Sequence, residues 1–440
     1  MVGLATAILI ALTSSFDIFL VVEAGGNFRI GQIFVIILTI LAIARTIQHS
    51  DVPTLGLLPL LAWLVVQVVF IPATAFWPKS VGYCFWLLLN ICLVFSFVQL
   101  FSWNSRLLNR LLQWYLYSFG LIASFGLVQF TLPWLGLQAP LVTQWWVKDR
   151  IPRLNGFSYE PSYYAAYLLI GFVLCGSLRD AKFRLISQHK IKALRWLIGS
   201  SIVLSSSRLG IIFLALDVLS RRTWKSPIQL LHAPIKLSAI AKASFLPALS
   251  TAILVAAIIF ASLRPATAVL LLAGTGLYGA PAHSVVERAT SLIDTLTVFV
   301  QHPLVGRSLG GVSFGIADLH GVTLRSFQDS KQYEGMAIFA EVLAASGVLG
   351  IIPFLVFMGT IIRKPFELAR RSSPEYSILL RALTRSLIVE LAVLQFNQNI
   401  LRPYLWVHLA MLAAVYAAAK SELVRADDSL NFGQHPELPG

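Results

Sequence analysis

Residues 81–100 read VGYCFWLLLNICLVFSFVQL, a run without Asp, Glu, Lys or Arg. A helix of about twenty residues, rising 1.5 Å at each, covers the hydrocarbon core of a bilayer. The run does not alternate between polar and apolar positions, so it suits a spanning helix and not a barrel strand. The rest of the chain repeats the pattern. Comparable runs lie at 4–22, 30–44, 55–71, 111–135, 161–178, 196–219, 246–263, 337–362, 387–401 and 404–419. A shorter one at 266–279 fits an interfacial or re-entrant position. Of 440 residues, 57% are hydrophobic and 12% charged, and the mean hydropathy is +0.77. That is more apolar surface than a water-soluble core hides. The expectation is an all-α polytopic membrane bundle, one domain over 1–420 with a flexible cytoplasmic tail over 421–440. Residues 4–22 lack the basic flank of a secretory leader and carry Asp17, so they count as the first span.

Cys84, Cys92 and Cys175 all fall in apolar runs without C-x-x-C spacing, which implies neither disulfides nor a metal site. The net charge of +14 does not signal nucleic acid, because the cations gather in short loops as orientation signals do. Three loops are basic: Arg179, Lys182, Arg184, Lys190, Lys192 and Arg195; then Arg221, Arg222, Lys225, Lys236 and Lys242; then Arg363, Lys364, Arg370, Arg371, Arg381 and Arg385. All three should face the cytoplasm. A single apolar run, 196–219, separates the first two, and one crossing would put them on opposite sides. Its centre reads Ser205-Ser206-Ser207-Arg208-Leu209-Gly210, a polar break whose charge is costly at the midplane. Two short helices meeting near the outer face resolve the conflict. The count then closes at about 11–12 crossings with both termini inside. Two long non-basic loops, 136–158 and about 280–335, fall outside, the second lying between two late spans.

The first outer loop carries Trp145, Trp146, Lys148, Arg150 and Arg153 before Glu160 and Pro161. Cations on that side call for an anion, since Arg holds phosphate oxygens in a fork. Ser158 is the expected N-cap of the next helix, which places Glu160 at a helix start, either as a capping carboxylate or as a functional group. Arg208 either pairs with Asp217, Glu341 or Glu390, or serves a ligand. Arg402, before Pro403, is an anchor or a further phosphate contact. The second outer region supplies His302, Gly306, Arg307, Glu334 and then Glu341 at a helix start. No nucleotide-binding fingerprint is present, so a transferred group must arrive already activated.

In order, Arg153-Leu-Asn-Gly-Phe-Ser-Tyr-Glu160-Pro161-Ser, Ser205-Ser-Ser-Arg208-Leu-Gly210, His302-Pro303-Leu-Val-Gly306-Arg-Ser-Leu-Gly310 and the helix start at Glu341 resemble the O-antigen polymerase and O-antigen ligase superfamily. The resemblance runs from about Arg150 to the last span. It implies an all-helical bundle acting on sugars carried by undecaprenyl diphosphate at the outer face of a bacterial cytoplasmic membrane, without a cofactor or metal. It assigns Arg153 and Arg208 to the diphosphate and Glu160 to the exopolysaccharide-polymerase form of the motif. Lys148, Arg150, His302, Gly306, Arg307, Glu334, Glu341 and Arg402 become candidate substrate contacts. Partners would be the lipid-linked oligosaccharide, membrane lipids, and a chain-length regulator and flippase of the same pathway. Ligases show a His-Asn pair before the late helix, where this chain has Gln332-Tyr333-Glu334-Gly335; the departure favours a polymerase. A ligase, a lipid-linked sugar flippase or transporter, and a non-catalytic assembly protein remain the alternatives.

Overall fold

The computed structural model describes residues 2–23, 27–49, 52–74, 77–223, 282–324, 329–397 and 400–432. The expected run 246–263, the interfacial segment 266–279 and Lys225, Lys236 and Lys242 lie outside them. Within the described residues the helices are α1 (Val2–Thr13), α2 (Ile30–Gln48), α3 (Leu57–Val69), α4 (Trp77–Phe101), α5 (Ser105–Thr131), α6 (Pro161–Asp180), α7 (Gln188–Leu204) and α8 (Arg208–Thr223). They continue with α9 (Ala282–Gln301), α10 (Val312–Leu319), α11 (Ile338–Leu368), α12 (Pro374–Val393) and α13 (Pro403–Phe432). Two antiparallel hairpins complete the list, β1 (Val21–Glu23) with β2 (Asn27–Arg29) and β3 (Trp145–Val147) with β4 (Ile151–Pro152).

Among the described residues six helices are long and apolar enough to cross a membrane: α2, α4, α5, α6, α11 and α13. The chain is a multi-pass helical membrane protein. In α6, 89% of the apolar window is buried inside the protein, against 17% in α2, so α6 is central and α2 peripheral. Ile33, Ile36, Ile37, Ile40, Ile43 and Ile47 are exposed on α2 at helical spacing, a face that suits lipid and not water. Helix starts follow local chemistry. The Asn104 side chain accepts from the Leu107 amide at 3.1 Å, the Ser187 hydroxyl accepts from the Lys190 amide at 3.4 Å, and Pro161 and Pro374 occupy first helical turns.

The break at 205–207 divides the run 196–219 into α7 and α8, as the charge argument required. The two helices are antiparallel, for Arg195 on α7 meets Asp217 on α8 at 3.3 Å. Asp217 also binds Arg221 at 2.7 Å and Arg385 at 3.3 Å. One residue from each basic loop therefore converges on a single buried carboxylate, which puts all three loops at one end of the bundle. Arg208 does not share that carboxylate.

Several expected boundaries move. The first helix ends at Thr13, and residues 14–23 turn into the β1 hairpin, where Asp17 binds Arg29 at 2.8 Å. The span expected at 387–401 is α12, shifted toward the N-terminus, because Arg385 is satisfied inside the bundle by Asp217 and the Ser220 hydroxyl. The described part of the expected loop 280–335 is largely helical, with α9 and α10 packed on the late bundle. The last helix runs to Phe432, so part of the expected tail is helical.

Within α11, Gly347 adopts φ 57° and ψ −162° and interrupts the helix. Segment 303–308 enters the gap. Arg307 and Ser308 amides donate to the Ala344 and Ala345 carbonyls at 2.9 and 2.7 Å, and Val348 and Leu349 amides donate to the Pro303 and Leu304 carbonyls at 2.8 and 3.1 Å. Backbone groups freed by the break are thus satisfied inside the protein, the condition for irregular chain at membrane depth. Gly306, at φ 68°, makes the approach possible.

Candidate functional site

The site is built on a loop anchored to the bundle. Gln129, buried on α5, accepts from the Gly156 amide at 2.8 Å and donates to the Pro140 and Gly156 carbonyls at 2.9 and 3.1 Å. Asn155 donates to the Leu141 and Ser158 carbonyls at 2.8 and 2.7 Å. Phe157 stacks on Phe125, ring centroids 4.1 Å apart. The loop is therefore fixed where it delivers Arg153. Ser158 is spent on this turn, its amide donating to Asn155. The N-cap of α6 is Glu160, which is a correction to the expected Ser158.

Arg153 joins the loop to the α7–α8 break. Its Nε donates to the Ser206 hydroxyl at 2.8 Å, one Nη to the Gln144 side-chain oxygen at 2.6 Å and the other to the Ser206 carbonyl at 3.4 Å. Ser206 takes φ 52° to present both oxygens. Ser207 then accepts from the amides of Gly210 at 3.3 Å and, through its carbonyl, Ile211 at 2.9 Å, so α8 starts with Arg208 in its first turn. Burial lowers the Arg153 pKa from the usual arginine value; Glu160 opposes that shift, while Arg208 and Arg288 act in the same direction as burial. Three cations and a carboxylate thus gather where α6 and α8 begin.

Glu160 is half-buried, and its carboxylate does not cap α6. It accepts from the Ser162 hydroxyl at 2.9 Å. Next to it, Tyr163 lies under the Arg402 guanidinium at 3.6 Å. Arg402 also binds Asp17 at 3.2 Å, and Asp17 holds Arg29 with its other oxygen. Burial alone would lower the Arg402 pKa, but Tyr163, Asp17, Tyr404 and Glu334 outweigh it and hold the pKa above the ordinary value. The Tyr83 hydroxyl donates to Glu334 at 3.3 Å. On the same helix, Lys79 is buried and donates to Ser313 and Ser330 at 2.7 Å each, with Glu334 and Glu341 acting on it as opposite charges. Glu341 accepts from the Ile400 amide at 3.1 Å.

The structure thus brings Arg153, Glu160 and Arg208 together, and sets Arg402, Glu334 and Glu341 on the adjoining side. Lys148 and Arg150 are exposed at the tip of the β3–β4 hairpin, outside this cluster. Gly306 and Arg307 belong to the segment inserted in α11, and His302 precedes it, its carbonyl accepting from the Gly306 amide at 2.9 Å; burial and Arg307 lower the His302 pKa. The other candidate partners of Arg208 have separate surroundings: Asp217 lies in the basic hub, and both Glu390 carboxylate oxygens are buried without a hydrogen-bond partner among the described residues.

Sequence reasoning missed Arg29, Lys79, Tyr163 and Arg288, and noted Asp17 only as a blemish in a span. A lysine next to an apolar run is itself a signal, because intramembrane charge is rarely idle. Arg288 lay in a stretch taken as a loop. Asp180 closes the opposite end of α6 through Arg221 at 2.7 Å. At 1.5 Å per residue, that end is about 30 Å from Glu160. The charged cluster and the basic hub therefore occupy opposite ends of a membrane bundle. No protein-family model matches the chain, and no curated protein matches it.

Proposed function

We propose that the protein is a membrane glycosyltransferase that polymerises undecaprenyl-diphosphate-linked oligosaccharide repeat units at the outer face of a bacterial cytoplasmic membrane, in the making of an O-antigen, exopolysaccharide or capsule. The observation that carries this reading is Arg153. Its hydrogen bonds go to neutral oxygens of Gln144 and Ser206, so its direction is fixed, and among the described residues no carboxylate is hydrogen-bonded to it. With Arg208 and Arg288 nearby, it forms a preorganised cationic site suited to a diphosphate.

In the proposed reaction an acceptor sugar hydroxyl attacks the anomeric carbon of the growing chain. A carbon–oxygen glycosidic bond forms, and the bond from that carbon to the lipid diphosphate breaks. The hydroxyl proton passes to a carboxylate, Glu160 first and Glu334 second, because each carries a hydroxyl donor that a substrate can replace. The electron pair leaves with the diphosphate, whose developing charge Arg153 and Arg208 stabilise in a partly dehydrated setting. Lys148 and Arg150, exposed on the β3–β4 hairpin, extend the positive surface toward the rest of the donor, and Arg402, held by Asp17, backs Tyr163. A chain-length regulator and a flippase of the same pathway are its expected partners.

Deletion of the gene followed by analysis of lipid-linked glycans tests the reading. A polymerase mutant keeps single repeat units on the carrier and loses long chains. Long chains stranded on the carrier would instead indicate a ligase, and substrate trapped at the inner face a flippase. Normal chain length in Arg153→Ala and Arg208→Ala would end the diphosphate assignment.

A further inference from the structure

The basic end of the bundle holds a cavity of about 460 Å³ between the close of α6, the close of α8 and α12 from Pro374 to Arg385. Ser377, Arg381 and Arg385 line one wall, following one face of α12 at helical spacing, and Ser177, Asp180 and Arg221 line the other. Between the arginines the surface is apolar, formed by Ile378 and Ala382.

The charges in this cavity do not cancel. Among the described residues Asp180 is its one acidic lining residue, bound by Arg221 at 2.7 Å and Arg179 at 2.8 Å. Arg385 and Arg221 also share Asp217 with Arg195, and Arg381 adds an exposed cation on the open side. α12 begins here, and its N-cap Ser373 makes no side-chain hydrogen bond to the first turn. The positive end of the helix dipole lies at the same end as the arginines, with Glu375 in the first turn held by Asn109. A concave, cationic and hydroxyl-bearing wall with an apolar floor suits a phosphate that is attached to hydrocarbon. The location agrees, because the cavity opens at a bundle end, where a bilayer presents its headgroups.

We propose that this cavity binds the phosphate of an anionic phospholipid, with Arg381 and Arg385 on one side and Arg221 on the other. This site is separate from the glycosyl-transfer cluster and does not depend on that reading. Arg385 and Arg221 also hold the Asp217 hub, so Arg381, exposed and outside the hub, is the residue to change.

The test uses the full chain in neutral detergent, with phosphatidylglycerol or phosphatidylcholine added and retained lipid measured by native mass spectrometry. The wild-type chain should retain phosphatidylglycerol over phosphatidylcholine, and Arg381→Ala should weaken that retention about fivefold, the effect of one interfacial cation. Arg381→Glu should abolish the preference, while Arg110→Ala, another exposed cation, leaves it intact. An unchanged unfolding midpoint in the Arg381 variants shows that the bundle survives. Equal retention of the two lipids, or undiminished phosphatidylglycerol on Arg381→Glu, overturns the proposal. Inorganic phosphate supplies the last arm: if it binds as tightly as the lipid, the site serves a soluble phosphate and the lipid assignment fails.

Discussion

Replacing Gly347 with alanine tests the inserted break in α11. Its φ of 57° and ψ of −162° fall in a region essentially reserved for glycine, where a Cβ costs about 1–3 kcal/mol. An added Cβ would also stand 2.5 Å from the Val305 amide nitrogen. That is a backbone atom, so relief requires segment 303–308 to withdraw. Withdrawal loosens the bonds that the Val348 and Leu349 amides give to Pro303 and Leu304, each worth about 1 kcal/mol net. The sum is about 3–5 kcal/mol, a large part of the 5–15 kcal/mol that typically holds a folded protein together. Gly306→Ala should behave alike, since its Cβ would stand 2.5 Å from the Ser346 amide nitrogen at φ 68°. Reversible unfolding in mixed micelles, followed by tryptophan fluorescence, measures both. Gly359→Ala on the same helix is the control, because nothing lies within 4 Å of the added methyl; it should be neutral or up to about 1 kcal/mol more stable. A loss below about 1 kcal/mol in Gly347→Ala would refute the inserted geometry.

Asp217→Asn should destabilise by about 3–5 kcal/mol in the same unfolding assay, because it strands buried arginines against one another; Arg221 is 7% exposed there and Arg195 11%, and a loss under about 1 kcal/mol would mean that the hub is screened by solvent. Arg153→Lys keeps the charge but cannot reach Gln144 and Ser206 together, so polymer yield in the glycan assay should fall at least about tenfold, with folding retained; wild-type yield would mean that charge alone suffices. His302 has a lowered pKa, so it is neutral in the fold at pH 7 and resists protonation more than in the unfolded chain. Its share of stability is present at neutral pH and is lost as pH falls below about 6.5. His302→Gln should therefore lose less stability than wild type between pH 7 and pH 5, and an equal loss would contradict the assignment.

Element types were legible in the sequence where one physical requirement dominated. Apolar runs gave α2, α4 and α6 close to their ends and the start of α13, and the parity of basic loops gave the α7–α8 hairpin, because a charge at the midplane leaves few alternatives. Legibility failed where tertiary contacts satisfied polar groups. α12 carries Arg381 and Arg385 near its middle, which hydropathy scores as loop; the Asp217 contact to Arg385 lies 168 residues away in sequence. The early end of α1 was hidden in the same way, since Phe16 and Phe19 pack on the Phe157 ring and the Phe157 carbonyl accepts from the Asp17 and Ile18 amides. At the site, Arg153, Glu160 and Arg208 could be named from local pattern, but their meeting depends on Ser206, and Ser206 matters only through its backbone turn. Tyr163 and Arg29 carry no pattern until Arg402 and Asp17 arrive beside them.

Arginine is used in two ways at the two ends of this bundle, and the difference sorts the candidates. At the hub, Arg195, Arg221 and Arg385 each touch a carboxylate, and on the other side Arg402 does the same with Asp17. Those guanidiniums are tied to carboxylates, and their contacts hold helices together. Arg153 differs because its forks end on an amide oxygen, a hydroxyl and a carbonyl, while Glu160 and two further cations act on it without a hydrogen bond. Like charges repel, and Glu160 offsets part of that repulsion at Arg153. A visiting anion removes that repulsion and collects the field of all three. In the proposed reaction the same repulsion favours the charge-rich leaving diphosphate over the less charged state before bond cleavage, which is the direction a catalyst requires.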